Sequence, residues 1–595
     1  MSHTESRNDS TLVRARAKMP VRSNRLMFKK YSQYLIPTMI TYAALSLNEF
    51  ADSMLVSNLL GSEAMSIVNM GMPIMLVMSA AYALLGSGGA TVYAIAIGGR
   101  DHEKAGKSMT ASVVIAFLTG VLIVLFGSVF SSQITVLLCR NPMLHIQFEK
   151  YLLVLLLAAP LEIVVLTFVS ILPAAGYPGF STAVNVIANV VNIAMDYVYI
   201  HYFHMNVEGA AWATLTGYVC AALLVLCALA IRKIKVFFSR NTMKSLALRR
   251  EIVRLGRPDA MNQIGLAIQF AVCNGLVTAA AGADGMVAFS LCIQANSVIS
   301  IFIGAVIGSA IPILAVLHGQ RDFTGEAGIL KTALRSMILV AAAGIFCFTV
   351  FTPNIAALYN ITESGQFALA VKGLRIFALM LLPRNLVLVY YRYLKVIGLS
   401  PYSMILSALD SFALILPLAW IMVTLFGIDG FWWSFLVTEV LILAIILICN
   451  HKFAAGSGGR LQGILLTEHD EESKPVLDVT ISRNSSDISF ISEKLQQICE
   501  EKGMKKRDAL MAALAVEEIA VYAAHRKSQS SHVDILVRIY RDKVEIDFRS
   551  LGEAFNPLKD EEQDIRENVL ILRSIASEIE TEYLLGMNCT RITLK

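Results

Sequence analysis

Charge is what this sequence has least of. Only 16% of its 595 residues are Asp, Glu, Lys or Arg, against about 25% in an ordinary soluble protein. With 56% hydrophobic residues and a mean hydropathy of +0.62, the composition excludes a soluble globular chain and points to a membrane protein. Cysteine is sparse as well: nine residues, scattered singly, with no CxxC pair. That excludes a disulfide framework and a zinc cluster, so no cofactor is expected. The N-terminus lacks a cleavable signal pattern, because residues 1–30 are polar and carry eight Lys and Arg. A net charge of +5 is small, its distribution matters more than its size, and no nucleic-acid partner is expected.

What the chain has in abundance is long oily runs. Stretches of about 20 apolar residues mark membrane helices, here near 33–57, 66–97, 110–131, 150–174, 180–202, 209–231, 256–280, 287–318, 334–352, 367–397, 402–426 and 429–450. One side of the membrane receives the N-terminal tail, Arg100, Lys104 and Lys107, the segment 232–254, and Arg321, Lys331, Arg335, Arg392 and Lys395. The opposite loops hold little beyond Arg140. The positive-inside bias therefore predicts cytoplasmic termini and an even number of spans in a plasma-membrane protein that meets the lipid bilayer along most of its length.

A repeat underlies these spans. Pro37 and Pro258 differ by 221 positions, as do Gly61 and Gly282, Asp101 and Asp322, and Gly209 and Gly430. The predicted fold is an all-α polytopic membrane protein of twelve transmembrane helices in two six-helix lobes. The lobes share an orientation and bind substrate between them. The boundaries read as a basic tail 1–30, an N-lobe 31–240, a C-lobe 241–452, a flexible charged linker 453–474 and a soluble domain 475–595.

Polar residues inside the oily runs are the candidate site. Asn185, Asn189, Asn192 and Asp196 are spaced by four, three and four, which puts them within roughly a 60° arc of one helix face. Asn48 and Asp52 are one turn apart in the first span. Two carboxylates in low-dielectric surroundings cannot both stay charged without a proton or a cation beside them. Carboxylate and Asn oxygens could equally coordinate sodium. The alternative for the Asn residues is helix-to-helix hydrogen bonding, worth about 0.6 kcal/mol each. Asp410 occupies the repeat position of Asn189 and is expected to face the central cleft. Glu162 and Arg384 occupy nearly equivalent positions in spans four and ten, where an ion pair or solvent-facing snorkelling is the choice. Glu49 and Glu439, near span ends, read as structural.

The stretches "NEFADSMLVSNLLGSEAMS", "GSGGATVYAIAIGGRDHEKA" and "NIAMDYVYI…NVEGAAWATL" resemble the multidrug and toxic compound extrusion (MATE) family over about residues 30–450. The resemblance implies export of cationic or amphipathic compounds in exchange for protons or sodium. It also implies a cation site at the positions of Asp52, Asn192 and Asp196, as in one prokaryotic branch of the family.

After residue 450 the composition changes. Strand-like runs ("VDILVRIY", "KVEIDF") alternate with amphipathic helices, predicting a cytosolic α/β sandwich. "AVEEIAVYAAH" and "RSLGEAFNP" resemble the GHKL-type ATPase domain of anti-sigma-factor and histidine kinases. Glu517, Glu518 and Gly552 match that pattern, as do Phe555 and Pro557. Tyr522 stands where the family has a magnesium-binding Asn, and Ser550 where it has the adenine-reading Asp. The Tyr522 ring would intrude on the phosphate region, and "ENVLI" replaces the glycine-rich lid. The resemblance implies a fold kept without nucleotide chemistry, and Glu517 and Glu518 read otherwise as a solvated helix face. The expected protein is a prokaryotic drug exporter whose partners are small organic substrates and a cytosolic protein docking on 475–595. The alternatives are a lipid-linked-sugar flippase, which would carry more Arg and Lys in its cavity, and a membrane-anchored sensor kinase.

Overall fold

The computed structural model describes residues 22–23, 25–139, 141–231, 245–358, 364–469, 475–482, 485–525, 532–540, 543–554, 556 and 566–595. The tail 1–21, Arg140, the basic segment 232–244, linker residues 470–474, and Phe555 and Pro557 lie outside the described residues. The chain forms two compact units, Lys30–Glu468 and a second that joins Met1–Lys29 to His469–Lys595.

In the first unit, among the described residues, eight helices are long and apolar enough to cross a membrane, or nine if the bent pair Gly365–Leu379 and Leu381–Val396 is one span. Two of them exceed a single crossing. The Leu246–Gly319 helix runs 74 residues, roughly 110 Å at the α-helical rise, against a hydrocarbon core of about 30 Å. It breaks at Gly282, where φ is 59°. The stretch Ser400–Gly456 breaks likewise at Gly427, φ 61°. Glycine takes these positive φ values without the Cβ clash other residues would meet.

The repeat seen in sequence is a repeat in space. Arg100 and Arg321 both have positive φ, 63° and 55°. Asp101 Oδ1 then accepts from the Lys104 amide at 2.8 Å and Asp322 Oδ1 from the Gly325 amide at 3.0 Å, so each caps the helix that follows. A Cβ on Gly98 would strike the Val316 carbonyl, and one on Gly319 would strike the Ile95 carbonyl. Residues 98 and 319 differ by 221, as do 95 and 316, so this is one contact seen from both lobes. A pseudo-two-fold axis passes between these helix ends, where backbone meets backbone.

The linker is shorter than expected. The last membrane helix continues to Gly456, and β1 (Leu461–Gln462) and β2 (Thr467–Glu468) form a hairpin. Asn450 Nδ2 donates to the Ile464 carbonyl at 2.6 Å and the Tyr393 hydroxyl to the Leu466 carbonyl at 3.4 Å. These side chains give the hairpin backbone the partners it would otherwise seek in water.

The second unit contains a five-stranded antiparallel sheet. Its strands are β3 (Leu477–Ser482), β4 (His532–Ile539), β5 (Val544–Leu551), β6 (Glu578–Leu584) and β7 (Met587–Leu594), in the order β3-β4-β5-β7-β6. Among the described residues three helices, Ser485–Glu501, Lys506–His525 and Arg566–Ile575, accompany it. Ile491, Leu495, Val516, Ile519, Val537 and Ile546 are among its core residues. The end of the N-terminal tail belongs to this unit. The Arg22 amide donates to the Asp478 carbonyl at 3.1 Å, the Ser23 amide donates to Thr480 Oγ1 at 2.9 Å, and the Arg22 guanidinium lies 3.7 Å from Asp478 and 3.5 Å from Asp534.

Candidate functional site: an acid pair beside a central cavity

Asp52, on the Arg25–Leu60 helix, and Asp196, on the Pro178–Tyr197 helix, bring their carboxyl groups together in the N-lobe. Asp196 is fully buried and Asp52 half-buried. Neither oxygen of Asp196 receives a hydrogen bond within normal range among the described residues. Asn192, one turn away and buried, donates to Thr214 Oγ1 at 3.3 Å. Sequence reasoning missed the fully buried Tyr151, which lies within electrostatic reach of both acids. Among the described residues no cationic side chain lies within electrostatic reach of the pair.

A cavity of about 680 Å³ opens between the lobes. The polar stripe divides at its wall. Asn48, Asn185 and Asn189 line the cavity, whereas Asp52, Asn192 and Asp196 sit behind them. Asn185 Nδ2 donates to the Ser181 carbonyl at 3.0 Å, while Asn48 Oδ1 and Asn189 Nδ2 are buried without a partner among the described residues. Glu49, expected to be structural, also lines the cavity.

Two expectations are corrected. Glu162 and Arg384 do not pair: Glu162 takes the Tyr218 hydroxyl as its hydrogen-bond neighbour, and Arg384 Nε lies 3.9 Å from Asp410 Oδ1. Asp410 does not face the cleft either. It is 2% exposed and sits behind Asn262, whose Nδ2 donates to it at 3.4 Å, with Glu439 beside it. The reason is the two-fold axis. Positions matched by the repeat occupy equivalent places in separate lobes, and each finds its partner in its own lobe.

Arg392 and Lys395, read as charges of a membrane-flanking loop, line the cavity instead. Arg392 Nε donates to Asp259 Oδ1 at 3.1 Å, and Lys395 Nζ donates to Asp259 Oδ2 and to Ser87 Oγ, both at 2.5 Å. Ser87 comes from the N-lobe, so this network ties the lobes together. Gly88 permits the approach, since a Cβ there would strike the Ile252 carbonyl. The signal for Asp259 was present: an acid directly after Pro258, inside an apolar run.

In the second unit Glu517 accepts from Ser492 Oγ at 3.2 Å and Glu518 accepts from Asn568, so neither is simply a solvated face. Tyr522 is fully buried in the hydrophobic core. Its expected intrusion on a phosphate region is therefore corrected: it continues the apolar stripe of Ala515 and Ile519. Ser550 is 1% exposed, and its hydroxyl has no partner among the described residues. Gly552 has φ 151° and its carbonyl accepts from the Tyr583 hydroxyl at 3.0 Å.

Two helical lobes related by an axis, with a cavity between them and acids buried beside it, define a membrane transporter of the alternating-access class. Residues 37–198 match the family model MatE, and the membrane unit is similar to multidrug export proteins and to solved MATE transporters. The multidrug export protein MepA of Staphylococcus aureus (strain NCTC 8325 / PS 47) is 24% identical over 430 residues, 70% of this chain and 91% of that protein. MepA of Staphylococcus haemolyticus (strain JCSC1435) is 22% identical over 420 residues, 69% and 91% of the two chains. Among solved structures, a multidrug resistance MATE family transporter of the MOP superfamily in its outward-facing conformation superposes with a TM-score of 0.67 at 22% identity, covering 72% of this chain and 96% of that one. A MOP superfamily transporter from Pyrococcus furiosus superposes with a TM-score of 0.66 at 22% identity and the same coverage.

Proposed function

We propose that the protein is a cation-coupled antiporter of the prokaryotic plasma membrane, exporting organic cationic or amphipathic compounds in exchange for protons or sodium. The Asp52–Asp196 pair carries this reading. Two acids without a fixed counter-cation beside a drug-sized cavity suit a site that alternates between a coupling ion and vacancy. The name of the staphylococcal relatives, multidrug export protein, supports the substrate class. Twelve crossings are supported by treating the Leu246–Gly319 and Ser400–Gly456 stretches as two spans each and counting Arg25–Leu60 and the bent pair as one span each. The basic flanks favour cytoplasmic termini. Drug transport in membrane vesicles under separately imposed proton and sodium gradients tests the coupling; transport that responds to neither would overturn it.

Arg392 and Lys395 bring into the cavity the basic charge expected of a flippase for lipid-linked sugars. Glu49, Glu162 and Asp259 outnumber them on the same wall, which favours a cation-bearing substrate over a diphosphate.

The C-terminal unit reads as a GHKL-type fold that has kept its architecture and lost its nucleotide chemistry, serving to modulate the transporter or to dock a cytosolic protein. Ser550 offers adenine only a neutral hydrogen bond, where charge assistance is worth roughly 1.5–3 kcal/mol. Glu518 is committed to Asn568, and Tyr522 has no Asn-type oxygen for magnesium. Calorimetry on the full-length protein at physiological magnesium is expected to detect no ATP binding. Micromolar, magnesium-dependent affinity would revive the sensor-kinase alternative.

A further inference from the structure

The outermost strand of the C-terminal sheet is β3, so one side of its backbone has no neighbouring strand among the described residues. An edge of this kind is a template for any extended segment that can pair with it. Here the edge is also marked by charge. Asp534 on β4 stands opposite Thr480, two residues along β3 from Asp478, so both acids lie on one face of the sheet. The sheet's own arginines, Arg538, Arg549 and Arg591, act together on Asp547 farther in. Arg22 reaches the acids at the edge: its side chain is 2% exposed and its guanidinium spans the two carboxylates. A planar guanidinium with several fixed donors can serve acids on two neighbouring strands, where an ammonium is a single point charge.

The tail fills this site incompletely. Its pairing touches two of the six residues of β3: the Arg22 amide donates to the Asp478 carbonyl, and Ser23 meets the Thr480 hydroxyl. That hydroxyl has one proton, and Asp534 Oδ1 at 2.6 Å takes it ahead of the Ser23 carbonyl at 3.2 Å. The sequence explains the short reach. Pro20 has no amide to give a ladder, and the Arg25–Leu60 helix follows, so only residues 21–24 lie between them. A longer strand free of those limits would complete the backbone bonds along β3 and keep the same arginine contact.

We propose that the β3 edge is a recognition site for an extended, arginine-bearing segment of a cytosolic protein, with the N-terminal tail as its placeholder in cis. The arginine seats between Asp478 and Asp534 while the backbone adds a strand to β3, displacing Arg22 and Ser23. The proposal rests on the docking reading of the C-terminal unit and deepens it, naming the site and the chemistry that docks there.

The probe is a fluorescent peptide of residues 16–27 carrying Pro20→Thr, so that pairing can extend. Its binding is read by anisotropy on the protein in nanodiscs of zwitterionic lipid. A chain lacking residues 1–23 is expected to bind the peptide at least about tenfold more tightly than the intact chain, in which the tail competes at the high effective concentration of a short tether. Arg22→Ala in the peptide and Asp478→Asn in the shortened chain are each expected to weaken binding about tenfold or more, the loss that goes with one charge-assisted contact. Binding is expected to protect β3 amides from hydrogen exchange. Should the shortened chain fail to insert, Arg22→Ala in the intact chain must open the site in the same way. A scrambled peptide that binds as well, an Arg22→Ala peptide that loses nothing, or equal affinity in the intact and opened chains overturns the proposal. Self-association of the intact protein that disappears with the tail also overturns it, because the tail would then serve a second copy. Magnesium-dependent ATP affinity in the same preparations strikes the docking reading beneath, whereas loss of peptide binding alone strikes the proposal.

Discussion

Asp196→Asn is expected to reduce gradient-driven export to the level of empty vesicles while leaving the protein folded and inserted. The substitution keeps the shape of the side chain and removes its charge. In the wild type, two unit charges at about 4 Å and an effective dielectric of 20 would repel by about 4 kcal/mol, and in the proposed function the pair takes up a proton or a cation to relieve the repulsion. With Asn at 196, Asp52 is left as the pair's single acid. The ion then loses half of its site, and the exchange that drives the cycle has nothing to discharge. Asp52→Asn is expected to act in the same way. Melting temperatures should be unchanged or higher, because a fully buried acid without a hydrogen-bond donor costs stability rather than adding it. Wild-type export by both single variants would remove the pair from the mechanism.

The second large effect belongs to the C-terminal unit. Asp547 on β5 is 5% exposed; it accepts from Arg591 Nε at 2.7 Å and Nη2 at 3.0 Å, and from Arg538 on β4. Burial alone would push its carboxyl up, but Arg591, then Arg538 and Arg549, hold it down at about 2. A depressed folded value means that the stabilisation is fully present above the ordinary carboxylate range, near pH 4, and is lost as pH falls from there through about 2. The size is roughly 2–3 kcal/mol. Asp547→Asn leaves buried guanidiniums without their anion and should cost about 3–5 kcal/mol, enough to unfold a marginal unit. Hydrogen exchange of β4, β5 and β7 in the full-length protein checks both statements. Protection should collapse in the variant, and in the wild type it should fade between pH 4 and 2. An Asp547→Asn protein with wild-type protection would show that the three arginines are satisfied some other way.

Much of this architecture is written in sequence features that physics makes hard to miss. Long apolar runs, positive-φ glycines at matched positions and paired helix-capping aspartates leave local marks, and the local marks repeat at one offset. Asp52 and Asp196 stand out because acids are rare in oily helices. What could not be read is which polar residue meets which. An offset of 221 or 222 shows that Glu162 and Arg384, or Asn189 and Asp410, are equivalent, and equivalence under a two-fold axis is separation rather than contact. Arg392 and Lys395 were misplaced for a related reason. A base near a helix end reads as a flanking charge unless the acid that draws it inward, here Asp259 on another helix, is known. The tail was misread because its partner, β3, lies more than 450 positions away in the chain.

The paired contact of Gly98 with Val316 and Gly319 with Ile95 leaves a mark on descent as well as on shape. If the two halves arose by duplication, this junction began as a surface meeting its own copy, and every change in one half met its echo in the other. Once the halves diverged, each site became free to vary only as far as its opposite number allowed. A larger residue at 98 demands room from the helix that carries 316, and that helix has no slack to give, because its own glycine is pressed against residue 95. Variation at these four positions should therefore be inherited in pairs across the axis, and a single change at either glycine should be among the rarest in any natural set of such chains.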